Sequence, residues 1–370
     1  MLFDFQFLNH NINRVGEIPC FFIEKSITEN EFDISLFPEW FRDVVVGLPG
    51  LLGKFKDVFL EIKEVQKDNQ AILDKLCSDL VAGYSVSMLC SDVDIVPPNT
   101  EDISEALHVK IKLLFNYFFE TTLKDSKKLY TALETTFNNH YDTFRTTNLG
   151  IQGKVCPMCG LHEYPLSANE PKAQYDHWLP QDIYPLLAIN FNNLVPICGI
   201  CNGIKHNKDL LFDIATRTIC FYPYIQNDGF LFSILSYSPV DELSEEEKLI
   251  FKYGKYTINI IPNNPSDNSR IDSWNRVFNI KARYSTYLSD YNYEIRQTFK
   301  EYLNEKDLVF ENGSDKANLL DAIQQFRTHR IKNIRRETGA HLKNAYLDFI
   351  SANGNEYLLY TFFGIKLLAA

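Results

Sequence analysis

The sequence predicts an α+β protein in which a small zinc-stapled core lies between mainly helical N- and C-terminal regions. Two observations carry this expectation. Two Cys-x-x-Cys pairs, Cys156/Cys159 and Cys198/Cys201, bracket about forty residues rich in His, Asp and Asn. On either side, apolar residues recur at three- and four-residue spacing over long stretches, with a few short β-like runs between them.

The domain reading takes the chain in three segments: 1–148, 149–215 and 216–370. From about Thr28 to Asn148 the pattern is mainly helical. Phe37-Pro38-Glu39-Trp40 reads as a helix start, Phe55 to Val81 carries helical periodicity, Val96-Pro97-Pro98-Asn99-Thr100 breaks it, and Asp102 to Tyr141 resumes it. After the cysteine-bounded segment, the runs at 218–224, 230–235 and 256–261 look like short strands, which would extend the central sheet or form a separate platform. Asp241 to Lys248 is an acidic run suited to a solvated turn or helix start. From Ile271 to Phe349 helical spacing returns, and Tyr284, Tyr287, Tyr291 and Tyr293 are expected to serve as core and rim.

The four cysteines suit tetrahedral Zn²⁺, because each pair forms a tight knuckle presenting two sulfurs to one ion. Four thiolates leave no open position, so this zinc is expected to be structural, and His162 is not needed as a ligand. Cys20, Cys77, Cys90 and Cys220 are scattered and read as buried or free thiols. From the cysteines alone, a zinc ribbon that binds nucleic acid or protein without cutting fits equally well.

The residues between and just after the knuckles separate these readings. The segment holds Tyr175-Asp176-His177-Trp178, then Asn192-Asn193-Leu194, and ends in Cys201-Asn202-Gly203-Ile204-Lys205. Hydrolysis of a phosphodiester requires a cation to withdraw charge and a base to activate water. Asp176 is a hard oxygen ligand for Mg²⁺ or Mn²⁺, Asn202 adds an amide oxygen, and a neutral His177 is a competent proton acceptor. On a regular strand Asp176 and His177 would face opposite ways, so a bend is expected there.

In this window, roughly a sixth of the chain, the pattern resembles the HNH endonuclease family with its ββα-metal core. The resemblance implies that His177 is the general base, that Asp176 and Asn202 hold the catalytic ion, and that Asn193 ties the loop carrying the base, with Asn192 as the alternative. Asn202 stands where the family often has His. The cleaved ends would be 5′-phosphate and 3′-hydroxyl. Lys205 and His206 lie three and four residues beyond Asn202 on a helix, so Lys205 is expected to steady a phosphate. HNH nucleases of bacterial anti-phage systems, including Septu-like ones paired with an ATPase, look similar in this window, which implies a protein partner and antiviral defence. A non-cleaving zinc module that recruits nucleic acid or protein is the alternative. Duplex DNA, single strands and RNA all stay open as substrates.

Charge works against an unaided nuclease core. The chain carries a net charge of −11, and phosphate contacts require Lys and Arg. Arg327, Arg330, Arg335 and Arg336 lie in a stretch that reads as a helix with a basic face, a candidate DNA contact or else a solvated face. No run is apolar enough to cross a membrane, and the start Met1-Leu2-Phe3-Asp4 lacks a basic leader, so a cytoplasmic location is expected. Gly47 to Lys54 fails as a phosphate loop, because its glycine spacing and Phe55 do not fit, and reads as an interhelical loop. Gly83-Tyr-Ser85-Val-Ser87 lacks the second glycine of a nucleophile elbow.

Overall fold

A computed structural model describes residues 2–152, 154–163, 175–308, 316–331 and 336–352. Its contacts group the chain into two units, Asp4–Gln152 with Pro171–Asn227, and Met1–Phe3 with Gly153–Glu170 and Asp228–Ala370.

In the first unit the helices are α1 (Glu17–Thr28), α2 (Glu39–Val46), α3 (Pro49–Asp68), α4 (Gln70–Gly83), α5 (Val86–Ser91), α6 (Glu105–Tyr117), α7 (Lys127–Leu133) and α8 (Phe137–Gln152). Helix α2 begins after Pro38, as the sequence indicates. The periodic run from Phe55 to Val81 is divided at Asn69, whose non-helical backbone (φ −153°, ψ 82°) ends α3 and whose side chain accepts from the Ile72 amide to start α4. The segment expected as a loop, Gly47 to Lys54, is mostly helix: Pro49 occupies the first turn of α3, where its fixed φ and missing N–H suit a helix start.

Helix α6 starts at a Ser104 cap and buries Leu107, Ile111, Leu114 and Phe115 on one face. It then widens into a π-helical turn, Phe118–Leu123, before α7. Such turns insert one extra residue and rotate the helical face of the residues beyond them. The shared core is aromatic. Phe55, fully buried, lies 4.8 Å from Phe22 and 4.9 Å from Phe37 between ring centroids.

The hairpin β1 (Tyr175–His177) and β2 (Leu194–Pro196) is antiparallel, with Asp176 opposite Val195 and His177 opposite Leu194, and α9 (Gly199–Lys205) comes directly after it. Strands β3 (Phe212–Asp213) and β4 (Thr216–Arg217) make a minimal second hairpin. The run at 218–224, expected as a strand, pairs with none of the described strands. Its Tyr222 and Tyr224 hydroxyls instead donate to the carbonyls of Asn192 and Leu194.

The second unit pairs β5 (Phe230–Ser238) with β6 (Lys255–Pro262) as a platform of its own. Between them, α10 (Glu245–Ile250) opens with a capping box of Ser244 and Glu247, which explains the acidic run. Helices α11 (Asn268–Phe278), α12 (Ile280–Glu305), α13 (Lys316–Arg330) and α14 (Ala340–Ser351) complete it. Tyr284 and Tyr291 are buried and Tyr293 is exposed, the core and rim arrangement expected. No described helix is long and apolar enough to cross a membrane.

Removing the ring at the centre of the first unit should be severe. Phe55→Ala is expected to destabilise that unit by about 3–5 kcal/mol, read as the shift of its urea midpoint. A shift under about 1 kcal/mol would mean the cluster is not close-packed.

Candidate functional site

Asp176 and His177 end a three-residue strand, and both residues line one cavity of about 700 Å³ within the first unit. Trp178 N–H still donates in register to the Asn193 carbonyl, and the ladder ends where Leu179 N–H turns to the Asn193 side-chain Oδ1, at 2.7 Å each. Asn193 Nδ2 also donates to the carbonyls of Leu179 (2.9 Å) and Leu187 (3.3 Å). Fully buried, Asn193 thus clamps the chain leaving His177 and does not face the cavity. Asn192 is exposed.

His177 is nearly buried, and its Nε2 lies 2.9 Å from the Ala188 carbonyl. A carbonyl only accepts, so the proton of the neutral ring is on Nε2 and the basic lone pair is on Nδ1. Burial lowers the imidazole pKa to about 4, with the Ala188 bond opposing it, so the ring is neutral at pH 7.

Lys205, on the last turn of α9, is 1% exposed. Its ammonium donates to the His177 carbonyl at 2.7 Å and to Asp176 Oδ1 at 3.3 Å. Asp176 Oδ2 is 3.0 Å away, close enough for an ion pair but without hydrogen-bond geometry. Burial pushes the Asp176 carboxyl up to about 6, against the pull of Lys205. The lysine expected to hold a phosphate therefore holds the carboxylate and the strand. Asn202 lines the same cavity from α9. A buried carboxylate oxygen without a hydrogen bond, in a cavity that Asn202 also lines, fits a hard divalent ion that takes its other ligands from water and phosphate. His206 ends α9 with φ +44°, a left-handed conformation that non-glycine residues rarely adopt, and it stands exposed at the cavity edge.

No sequence motif signals the opposite wall. The π-helical turn places the Phe119 ring 4.5 Å from the His177 ring, edge to face, and Lys124 Nζ lies 4.9 Å over that same Phe119 ring. Phe137, Asn138 and Tyr141 from α8 complete the wall. These residues lie 35 to 57 positions before Asp176, outside any motif.

The thiols of Cys156, Cys159, Cys198 and Cys201 are all buried, with their sulfurs within 4.8 Å of one another. Zn–S bonds of about 2.3 Å put tetrahedral sulfurs about 3.8 Å apart, so the set fits zinc with little adjustment. Each knuckle shows its own geometry. Cys198 Sγ accepts from the Cys201 amide and caps α9, while Gly160 after Cys159 has φ +67° and a Cβ there would meet His341. His162 is outside the cluster.

The arginine stretch is not one continuous helix through 336. Helix α13 ends at Arg330, and Arg327 donates to Asn344 and Asp348 of α14. Arg336 is exposed; Arg335 and the Arg330 side chain lie outside the described residues.

No family model and no solved structure matches the chain. It is 36% identical over 61 residues to the Septu protein PtuB of Bacillus thuringiensis, a match covering 16% of this chain and 23% of that protein. The similarity thus spans less than a quarter of the relative's length.

Two outcomes are expected. Metal analysis of purified protein should find one zinc per chain, reduced in Cys198→Ser; undiminished zinc in that variant would remove the site. Acid should also weaken the first unit. His140 and His177 have folded pKa values lowered by burial to about 3 and about 4, so the stability they confer is complete above about 6.5 and lost as pH falls toward those values. Asp176, raised to about 6, runs the other way: its contribution is largest at low pH and lost as pH rises through about 6. Between pH 7.5 and 5 the net loss should be roughly 2–3 kcal/mol in urea unfolding followed by tryptophan fluorescence. A flat profile would show that the histidines are not buried neutral.

Proposed function

We propose that the protein is a metal-dependent HNH-type endonuclease that hydrolyses phosphodiester bonds in DNA, acting in defence against phage together with a protein partner such as an ATPase. The observation that carries the reading is the pairing on β1 of a nearly buried carboxylate with a neutral imidazole whose unprotonated nitrogen is Nδ1, both residues lining one cavity with Asn202. The hairpin followed by α9, and the four thiols beside it in sequence, agree with a ββα-metal core. The PtuB similarity supports the defence setting and the partner.

A Mg²⁺ or Mn²⁺ ion held by Asp176 and Asn202 would supply Lewis-acid stabilisation of the leaving oxygen. The chain's own residues do the rest. His177 Nδ1 takes a proton from water, whose oxygen bonds to phosphorus as the P–O3′ bond breaks and O3′ takes a proton from solvent, leaving 5′-phosphate and 3′-hydroxyl ends. Nε2–H on the Ala188 carbonyl keeps the ring in the reactive tautomer, and Asn193 fixes the segment carrying it. Lys205 acts as a positioning residue, holding Asp176 and the His177 backbone.

One observation favours the alternative of a non-cleaving zinc module: Lys205 already pairs with the carboxylate that a metal would use. Plasmid cleavage with Mg²⁺ or Mn²⁺, with and without the partner, decides between them. Wild type should nick or linearise the plasmid, a chelator should stop it, and His177→Ala should lower the rate by at least about 10²-fold with zinc content intact. Equal inertness of both folded proteins with the partner present would leave the binding module standing.

A further inference from the structure

We propose that the cavity over His177 takes an unpaired nucleotide of the substrate strand, with a phosphate on Lys124 and a base against Phe137. This rests on the endonuclease reading and names the substrate class: a single-stranded or locally opened polynucleotide rather than an intact duplex.

The first argument is shape. Asp176 and His177 are only 6% and 9% exposed, so a scissile phosphate has to enter the recess instead of lying across an open face. Duplex DNA is usually read by a convex protein element entering a concave groove. Here the concavity belongs to the protein, and about 700 Å³ is the scale of a small-molecule pocket. Enzymes facing that mismatch act on single strands or extrude the nucleotide.

The chemistry of the wall points the same way. Lys205 is closed into its ion pair, whereas Lys124 lines the cavity with its side chain 37% exposed and paired, among the described residues, with Glu120, an exposed residue one turn away that also lines the cavity. Exposed pairs of this kind are worth little and yield readily to a phosphate. Lys124 and His177 both contact the Phe119 ring, a spacing that suits the phosphate next to the one being cut. Half-buried Phe137 lines the same recess, and an aromatic face stacks any base. Asn138 and Gln181 add amides within the lining. A chain of net charge −11 has little of the broad cationic surface that holds a duplex backbone, while stacking needs few charges.

The test is fluorescence anisotropy of full-length His177→Ala with labelled single-stranded DNA, single-stranded RNA and a hairpin duplex of matching sequence. At least one single strand should bind about tenfold or more tightly than the duplex. Lys124→Ala should weaken that binding several-fold and flatten its log–log salt slope by about 0.7, Lys124→Arg should restore it, and Phe137→Leu, which keeps the apolar bulk, should weaken it without changing the slope. Duplex bound as tightly as either strand, or single-strand binding untouched by Lys124→Ala, overturns the inference. Because the assay reads binding by a protein disabled for hydrolysis, it stands apart from the cleavage test. Lys124-dependent strand binding with no wild-type cleavage would sink the endonuclease reading alone.

Discussion

A lysine ammonium removed from water is the constraint on which the site turns. Lys205 reaches from the end of α9 to the carboxylate of Asp176 and the carbonyl of His177, fixing the helix against the first strand of the hairpin. Both charges are almost wholly buried. Removing either partner from such a pair strands the other, at a typical cost of about 3–5 kcal/mol. The pair therefore sets the register of α9, and with it the place of Asn202, more tightly than the few backbone bonds of a three-residue hairpin could.

The rest of the site depends on the chain leaving that strand. Asn193 satisfies both backbone groups of Leu179 and reaches the Leu187 carbonyl, so the segment between them folds back and delivers the Ala188 carbonyl to His177. A backbone acceptor thus selects the tautomer, and a side chain outside the cavity holds that acceptor in place. Phe119 packs edge to face against the imidazole. Its position comes from the π-helical turn that interrupts the register between α6 and α7, a local irregularity of the kind found where a helix serves a site as well as a core.

Much of this is legible in the sequence because it is local. The cysteine spacing announces a metal cluster, and the four thiols do converge. Asp176, His177 and Asn202 read as a group, and all three line one cavity. Lys205 departs from its expected role for an instructive reason: a three-residue offset from Asn202 says which helical face it shares but not which way that face is turned, and this one is turned inward. Arg327 illustrates the same gap, since its guanidinium pairs with α14, which periodicity alone cannot show. The helical wall is illegible altogether. Phe119, Lys124 and Phe137 look like ordinary core and surface positions of an amphipathic helix, and only tertiary packing brings them to His177.

The charge balance of the recess bears on how an acidic chain could handle an anionic polymer. Asp176 and Lys205 cancel, His177 is neutral, Glu120 and Lys124 of the lining pair with each other, and the rest is largely amide, aromatic and glycine. The floor of the cavity therefore carries no net charge to attract a phosphodiester, and the nearest described cation of the wall, Lys124, is half-exposed. In a poorly solvated recess an uncompensated anion is expensive. A phosphate can thus enter deeply only if positive charge enters with it. On the endonuclease reading a divalent ion brings that charge, so the same neutrality that stabilises the recess makes its chemistry metal-dependent.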